Sequence, residues 1–408
     1  MSGGTSPGRW LAIVGIGEDG VEALGPAARA LVANARIVYG GARHLKLAGS
    51  LISGEARAWP SPISDAFAAI AGLRGTPVTI LASGDPYCFG IGGALARHVA
   101  ADETIAIPAP SAFSLAAARL GWPLEEVATL SCCGRPVEAI LPHLQPDRRL
   151  LVLSADASTP AAVARLLARY GFGGSLVHVM EALAGPRERL RGTTAAGFDL
   201  ADIDPLNLVA LEVVAGPDAR VMPLSGGLPD DFFESDGQLT KREIRAVTLS
   251  ALMPMAGQCL WDVGAGSGSV SIEWLVRHPA NRAIAIERDA DRAARAARNA
   301  ASLGVPRLEV VTGEAPGAFA GLPEPDAVFI GGGGQADGVI EAAWRALRRG
   351  GRIVVNSVTL ETEARLIEAH GRCGGTLTRL SVERLERIGG RQGFRPAMTV
   401  TQWAARKP

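Results

Sequence analysis

Asp262-Val263-Gly264-Ala265-Gly266-Ser267-Gly268 stands between a short apolar run, Cys259-Leu260-Trp261, and a helical stretch beginning at Val270 to Val276. Glycines at alternate positions let the backbone turn sharply where a strand ends and leave room for a ligand beside it. A second apolar strand, Arg282 to Ile286, runs into Glu287, 19 residues beyond Gly268. At that spacing a carboxylate on the neighbouring strand can take both hydroxyls of a ribose. The chemistry on offer is capture of a nucleoside-bearing ligand. The dinucleotide fingerprint G-x-G-x-x-G fails in register because position 269 is serine. Loop and acid together fit S-adenosylmethionine (SAM) better than a nicotinamide dinucleotide; a glycine turn in a ligand-free domain is the plainer alternative.

The other half of the chain carries a second constellation. Leu11-Ala12-Ile13-Val14-Gly15-Ile16-Gly17 reads as a strand entering a glycine turn. Val78 to Ala82 reads as another, followed by Ser83-Gly84-Asp85-Pro86-Tyr87-Cys88-Phe89-Gly90. A Gly-Asp-Pro turn with a glycine four residues after its proline makes a fixed loop with free amides and one carboxylate. Pro108-Ala109-Pro110-Ser111-Ala112-Phe113-Ser114 then opens an Ala-rich helix that stops at Leu120-Gly121-Trp122-Pro123. Cys88 is a poor nucleophile on this reading, since no histidine stands near it in sequence, and packing is its expected role. Cys132-Cys133 reads the same way.

These groups need a scaffold. Apolar strand-like runs alternate with Ala-rich helical ones throughout, which is α/β architecture. At 408 residues the chain exceeds one ordinary core, so two domains are expected. Leu206 to Val214 reads as the last strand of the first, and Ala215 to Asp231, with three Pro and three Gly, as a linker. The expected division is 1–216, a linker at 217–230, and 231–408. Thr240 and Glu243 have the spacing of a capping box. In the second domain strands are expected at 258–263, 282–287, 307–312, 326–331 and 351–356, with Arg379 to Leu385 and Pro396 to Ala404 as an antiparallel edge pair. Polar groups follow each parallel strand, where an α/β sheet binds its ligand. They are Asp262 with the glycines, Glu287, Gly313-Glu314-Ala315, Gly331 to Gly334, and Asn356, this last read as satisfying a strand end. Asp262 is expected to orient the loop or reach the methionine ammonium of SAM. Glu287 is expected to hold the ribose, and Ala315 with its neighbours to flank the adenine.

Composition narrows the class. With 41 basic and 41 acidic residues the net charge is zero, so a nucleic-acid binder held by bulk charge is not expected. Five cysteines without C-x-x-C spacing argue against a disulfide framework or a metal site and for a reducing, cytoplasmic setting. The opening Met1 to Trp10 is polar and Gly-rich, unlike a signal peptide, and no apolar run is long enough to span a membrane. Residues 372–395 hold six Arg against two Glu. Such a run is a solvated face or, for a polycarboxylate substrate, a source of bidentate contacts.

Thr240-Lys241-x-Glu243-x-Arg245, Asp262 to Ser269, Ala285-Ile286-Glu287-Arg288, Gly313-Glu314-Ala315-Pro316, the tetraglycine and Gly350 to Asn356 together resemble the precorrin C15/decarboxylating methyltransferases of cobalamin biosynthesis. The resemblance covers most of 235–400 and implies a class I SAM-dependent methyltransferase with a Rossmann-like seven-stranded sheet. Residues 10–215 resemble the tetrapyrrole methylases, whose fold is two α/β lobes with SAM between them, most specifically in Gly84-Asp85-Pro86. Much of that family has Gly-Pro-Gly in the first loop where this chain has Gly17-Glu18-Asp19-Gly20, and Ala109 stands where glycine is common. The first departure is familiar in the branch resembling precorrin carbon-5 methyltransferases.

By these resemblances Gly84, Asp85, Cys88, Ser111, Ala112 and Ser154 line one SAM pocket. Thr240, Asp262, Gly264, Ala265, Gly266, Ser267, Gly268, Glu287, Glu314 and Ala315 line the other, making two cofactor sites per chain. Arg242, Arg245, Arg391 and Arg395 are candidates for the carboxylates of a tetrapyrrole such as precorrin-6Y. A homo-oligomer, dimer or tetramer, is implied as well; nucleic acid, membrane and metal are not. Two alternatives stay open at this level: a class I methyltransferase for RNA or another substrate with an unrelated N-terminal domain, or a binding protein in which one half no longer turns over.

Overall fold

Leu11–Ile16 (β1) is buried at every position, as an apolar strand must be when helices cover both faces of a parallel sheet. The computed structural model describes residues 8–408. β1 is joined by Ile37–Gly40 (β2), Glu55–Ala58 (β3), Val78–Ser83 (β4) and Thr104–Ile107 (β5) in the order β3-β2-β4-β1-β5, every pairing parallel. A second sheet contains Val127–Ser131 (β6), Arg149–Leu153 (β7), Leu176–Glu181 (β8), Arg189–Thr194 (β9) and Asn207–Glu212 (β10), in the order β6-β7-β10-β8-β9. Here only β6 and β7 run parallel. Between the sheets in sequence, helix 112–120 starts where the Ser111 hydroxyl accepts from the Ser114 amide and stops at Gly121, whose φ is 66°. Its Phe113, Ala116 and Ala117 pack with Leu151, Leu208 and Ala210 of the second sheet.

The remainder of the chain is a sheet of seven strands. They are Cys259–Val263 (β11), Arg282–Glu287 (β12), Glu309–Thr312 (β13), Ala327–Ile330 (β14), Arg352–Ser357 (β15), Thr376–Leu380 (β16) and, after a hairpin of Glu383–Ile388 (β17) with Arg391–Pro396 (β18), Val400–Arg406 (β19). The order is β13-β12-β11-β14-β15-β19-β16 with β19 antiparallel to both neighbours. Order reverses between β12 and β14 around β11, the arrangement that opens a crevice at the strands' carboxyl ends. Trp261, Ile284, Val328, Ile353 and Trp403 form the core beneath it.

Two sequence expectations need correction here. The edge pair is β16 with β19, and the intervening residues make a separate two-stranded ribbon, β17 with β18. Alternating polarity spans both, so periodicity alone merges them. Residues 220–408, with Glu138–Leu144, form one compact unit and the other described residues up to Ala219 form another. Most of the stretch read as linker is thus part of the second unit. Met222 and Leu228 are buried, and the Gly227 and Leu228 amides donate to the two oxygens of Glu273 at 2.7 and 2.8 Å. Proline and glycine here shape a packed strap instead of a free tether. Among the described residues no helix is long and apolar enough to cross a membrane.

Candidate functional site

The loops after β11, β12, β13, β14 and β15 converge on one cavity of about 960 Å³. That is more room than a nucleoside ligand alone fills, by the usual range of small-molecule pockets. Its glycine wall is built by close approach of two loops. Gly264 has φ +69°, and a Cβ there would lie 2.5 Å from the Gly332 carbonyl oxygen. Gly266 also has positive φ, yet a Cβ there would meet nothing closer than the Gln238 carbonyl at 3.6 Å. The first glycine is demanded by protein backbone; the second leaves open space on the ligand side.

Glu287, only 6% exposed, closes the end of β12. One carboxylate oxygen accepts from the Gly266 amide at 2.9 Å and the other from Asp289 at 3.0 Å. Each oxygen keeps a free lone pair, and the residue lines the cavity. A diol is what such a fixed carboxylate can hold. A cradle closed to any Cβ at Gly264 and an anchored acid opposite are the features that SAM needs, and the residues present fit it.

Thr240, Gly264, Ala265, Gly266, Ser267, Glu287, Glu314 and Ala315 all line this cavity, as the sequence reading expects; Asp262 and Gly268 do not. Asp262 sits beneath the loop, 1% exposed. One of its oxygens accepts from the Ser271 amide at 3.0 Å and the Ser271 hydroxyl at 2.7 Å, while the other has no partner. Burial, with the Glu287 charge adding to it and the Ser271 bonds opposing, pushes its carboxyl up to about 6. Of the two expected roles, the geometry supports orienting the loop. Thr240 is not a helix cap: helix 242–252 is preceded by Lys241 with no side-chain cap.

Arg245 departs most from expectation. Its side chain is fully buried and stacks over Phe233 at 4.8 Å. It donates to Glu273 at 2.5 Å, to Asp230 at 3.1 Å and to the carbonyls of Thr240 and Leu228. A guanidinium so saturated holds the fold and cannot meet a substrate. Arg242 donates to the Gly227 carbonyl at 3.1 Å and lies off the cavity wall. Arg391 and Arg395 are on the exposed ribbon, Arg395 paired with Glu386 at 3.2 Å, and neither lines the cavity. The cations that do are Lys241, Arg288, Arg292 and Arg384. Arg384 belongs to the basic run 372–395 read above as a source of carboxylate contacts, and Arg288 directly follows the ribose acid, though neither is among the four substrate candidates named from the sequence.

In the first unit, β4 is followed by Gly84, with φ +54°. Its carbonyl accepts from Ala109, and a Cβ would meet the Pro110 oxygen at 2.8 Å and Ser111 Cα at 3.0 Å. The Gly-Asp-Pro turn and the helix-opening segment are therefore in contact. Asp85 fixes the turn by accepting from Tyr87 at 2.8 Å. Cys88 interacts with Ser111, and burial pushes its thiol up, the reverse of what a nucleophile needs. Ala112 packs beside Cys88 on the same apolar cluster. Ser154 lies beyond β7 in the second sheet, its hydroxyl buried without a partner, a polar atom left for a ligand. Among the described residues no cysteine is joined in a disulfide.

A further cluster surrounds Ser83. Its hydroxyl lies 2.8 Å from Arg43 and 2.9 Å from His44, and Arg43 is paired in turn with Glu18 of the first loop. Burial, then the Arg43 charge, hold the His44 ring down near about 4.

Comparison with known proteins matches each part of the chain to a family. Residues 11–199 match the tetrapyrrole (corrin/porphyrin) methylases, and residues 231–407 match a precorrin methyltransferase domain. A precorrin-6Y C(5,15)-methyltransferase (decarboxylating) from Sinorhizobium is 53% identical over 97% of this chain and 96% of its own. The protein of that name from Mycobacterium tuberculosis is 40% identical over 97% of this chain and 100% of its own. A probable cobalt-precorrin-6B C(15)-methyltransferase (decarboxylating) from Pyrobaculum calidifontis is 39% identical over 40% of this chain and 87% of its own. With both lobes matched and the whole length aligned, the chain belongs to the family of decarboxylating precorrin-6Y C(5,15)-methyltransferases.

Proposed function

We propose that this chain is a bifunctional SAM-dependent methyltransferase of cobalamin biosynthesis. It methylates precorrin-6Y at carbons 5 and 15 and removes the carboxylate of the ring C acetate as carbon dioxide, giving precorrin-8. The observation that carries this reading is end-to-end identity of 53% with a protein of that activity, joined to an intact cavity around Glu287. The nucleic-acid alternative has no comparable support.

The division of labour follows the two resemblances. Residues up to Ala219 carry the carbon-5 step around Gly84, Asp85, Cys88, Ser111, Ala112 and Ser154. The seven-stranded unit carries the carbon-15 step and the decarboxylation. SAM supplies an electrophilic methyl group at each of two sites. Glu287 holds its ribose in the second, and the backbone at Gly264 to Ser267 and Gly331 to Gly334 forms the surrounding cradle. The macrocycle is enamine-like at its meso carbons and brings its own nucleophile, so the protein needs chiefly to align the reactants and exclude water. Lys241, Arg288 and Arg384 on the cavity wall meet substrate carboxylates. The enzyme works in the cytoplasm as a homo-oligomer.

Mass spectrometry of the product formed from precorrin-6Y and SAM tests this. Two methyl gains with loss of one carbon dioxide support it; an unchanged mass from protein that binds SAM sends the substrate assignment elsewhere.

A further inference from the structure

Asn356 is the last residue but one of β15 and lines the same cavity. Its carboxamide is held from two sides. The amide nitrogen donates to the Thr248 hydroxyl at 2.9 Å, and the amide oxygen accepts from the Gln402 side chain at 2.9 Å. Gln402 also donates to Thr248 at 3.2 Å. Thr248 is wholly buried and Gln402 is 4% exposed. Because Gln402 donates to Asn356, the amide cannot turn over without setting two N–H groups against each other. Its orientation is thereby fixed. One N–H hydrogen remains without a protein acceptor, on a residue that lines the cavity. A strand end needs no such lock; a directed hydrogen-bond donor does.

Resting on the function proposed above, we infer that Asn356 is a catalytic residue of the decarboxylation. It donates this N–H to the ring nitrogen of the macrocycle that receives the electron pair when carbon dioxide leaves. In that step the bond from the acetate methylene to its carboxylate breaks. The pair forms a double bond from the methylene to the ring, and the electrons of the conjugated imine move onto nitrogen. Carbon dioxide departs as that bond breaks; a proton from solvent then adds to the methylene carbon while the electron pair returns from nitrogen to the ring, so the acetate becomes a methyl group. Charge grows on the nitrogen, and a preorganised donor stabilises the transition state more than the ground state. The Lys and Arg of the cavity cannot replace it, because a cation beside the departing carboxylate stabilises the reactant.

The test uses the full chain with SAM and precorrin-6Y. Asn356→Asp keeps both neighbours, since the Thr248 hydroxyl can rotate to donate, and replaces the N–H by a carboxylate oxygen; Asn356→Ser, which removes the amide without adding charge, is run beside it and should slow release likewise. Gln402→Glu leaves Asn356 in place but turns its amide, presenting the oxygen to the cavity. All three variants should bind SAM within about twofold of the parent by calorimetry and keep carbon-5 methylation. All three should release carbon dioxide about 100-fold more slowly in kcat, as when one oxyanion donor is lost. Normal release from a folded, SAM-binding Asn356→Asp overturns the assignment, and so does a Gln402→Glu that differs only in melting temperature. Failure of the parent chain to release carbon dioxide overturns the substrate reading and this inference together, which distinguishes the two failures.

Discussion

Arg245 and Glu273 form an ion pair at 2.5 Å in which neither side chain is exposed to solvent. Each charge is neutralised further by neighbours: Arg245 reaches Asp230 and two carbonyls, and Glu273 takes the amides of Gly227 and Leu228. The pair therefore pins the strap from 227 to 230 onto helices 242–252 and 269–277. Removing one partner strands a charge in the interior, which costs about 3–5 kcal/mol. Glu273→Gln should lower the unfolding free energy of the second unit by that order, measured by urea titration of the full chain. It should also expose the strap to proteolysis near Arg220. The double change Arg245→Met with Glu273→Leu should recover much of the loss; no recovery would mean the pair is not the strap's anchor.

The carboxylate of Glu287 has a different role and a different signature. It is anchored by two backbone amides that both donate to it, so Glu287→Gln keeps the size of the side chain but loses one of these bonds, setting N–H against N–H, and discards the charge. Hydrogen bonds to charged groups contribute about 1.5–3 kcal/mol, so the second site should weaken by roughly 10- to 100-fold. Calorimetry with SAM should then show two sites per chain in the parent and one in the variant over the same concentration range. Two undiminished sites would remove Glu287 from the cofactor assignment.

Glu287 and the glycines were legible because their signal is local. A strand, a turn and the next strand's last residue lie within one βαβ unit, where spacing dictates geometry. The seven-stranded order and the Gly84 turn were legible for the same reason. Arg245 was misread because its partners, Glu273 and Asp230, are distant in sequence and nothing about a lone Arg distinguishes a buried ion from a substrate clamp. The strap was misread because Pro and Gly mark chain that leaves regular structure, whether or not it packs. Asn356 read as a strand-end group because the lock on its amide comes from Thr248 and Gln402, on a separate helix and strand. Arg384 enters the cavity only because β17 and β18 form their own ribbon, and it pairs there with Glu243.

Asp262 makes a prediction with a sign. Its folded value is raised to about 6 from the ordinary 3.8, chiefly by burial. Between those values the folded chain holds a proton that the unfolded chain has released. Stability therefore falls as pH rises through that window, by about 3 kcal/mol at roughly 1.4 kcal/mol per unit. Asp262→Asn removes the titration and can still accept from Ser271. Without ligand, its melting temperature should exceed the parent's at pH 8 and approach it near pH 4. A constant difference across that range would show that Asp262 does not titrate there.

Two glycines of one loop should fail in different ways. Gly264→Ala drives a Cβ into the Gly332 backbone at 2.5 Å with φ at +69°, so the loop itself must shift and the second unit should lose stability. At Gly266 a Cβ meets nothing nearer than the Gln238 carbonyl at 3.6 Å, so Val can be introduced there without the backbone clash of Gly264. It costs about 1–2 kcal/mol for its left-handed conformation and places its side chain on the cavity side. The expected result is folded protein, by circular dichroism, that retains one SAM site.

Gly266→Val also separates the two reactions. With the second cradle blocked, carbon-15 methylation and carbon dioxide release should fall by at least about 100-fold, as misplaced reactants do, while carbon-5 methylation continues. Asp85→Ala should give the mirror result. It frees the Tyr87 amide that holds the Gly-Asp-Pro turn at 2.8 Å and changes no residue of the seven-stranded unit. Product mass distinguishes the cases: one methyl without decarboxylation from the first variant, one methyl with decarboxylation from the second. Loss of carbon dioxide release in well-folded Asp85→Ala would mean that the two methylations are ordered, with carbon 5 first, or that the halves do not divide the work as proposed. Supplying substrate already methylated at carbon 5 separates these, since an ordered enzyme then decarboxylates normally and an undivided one does not.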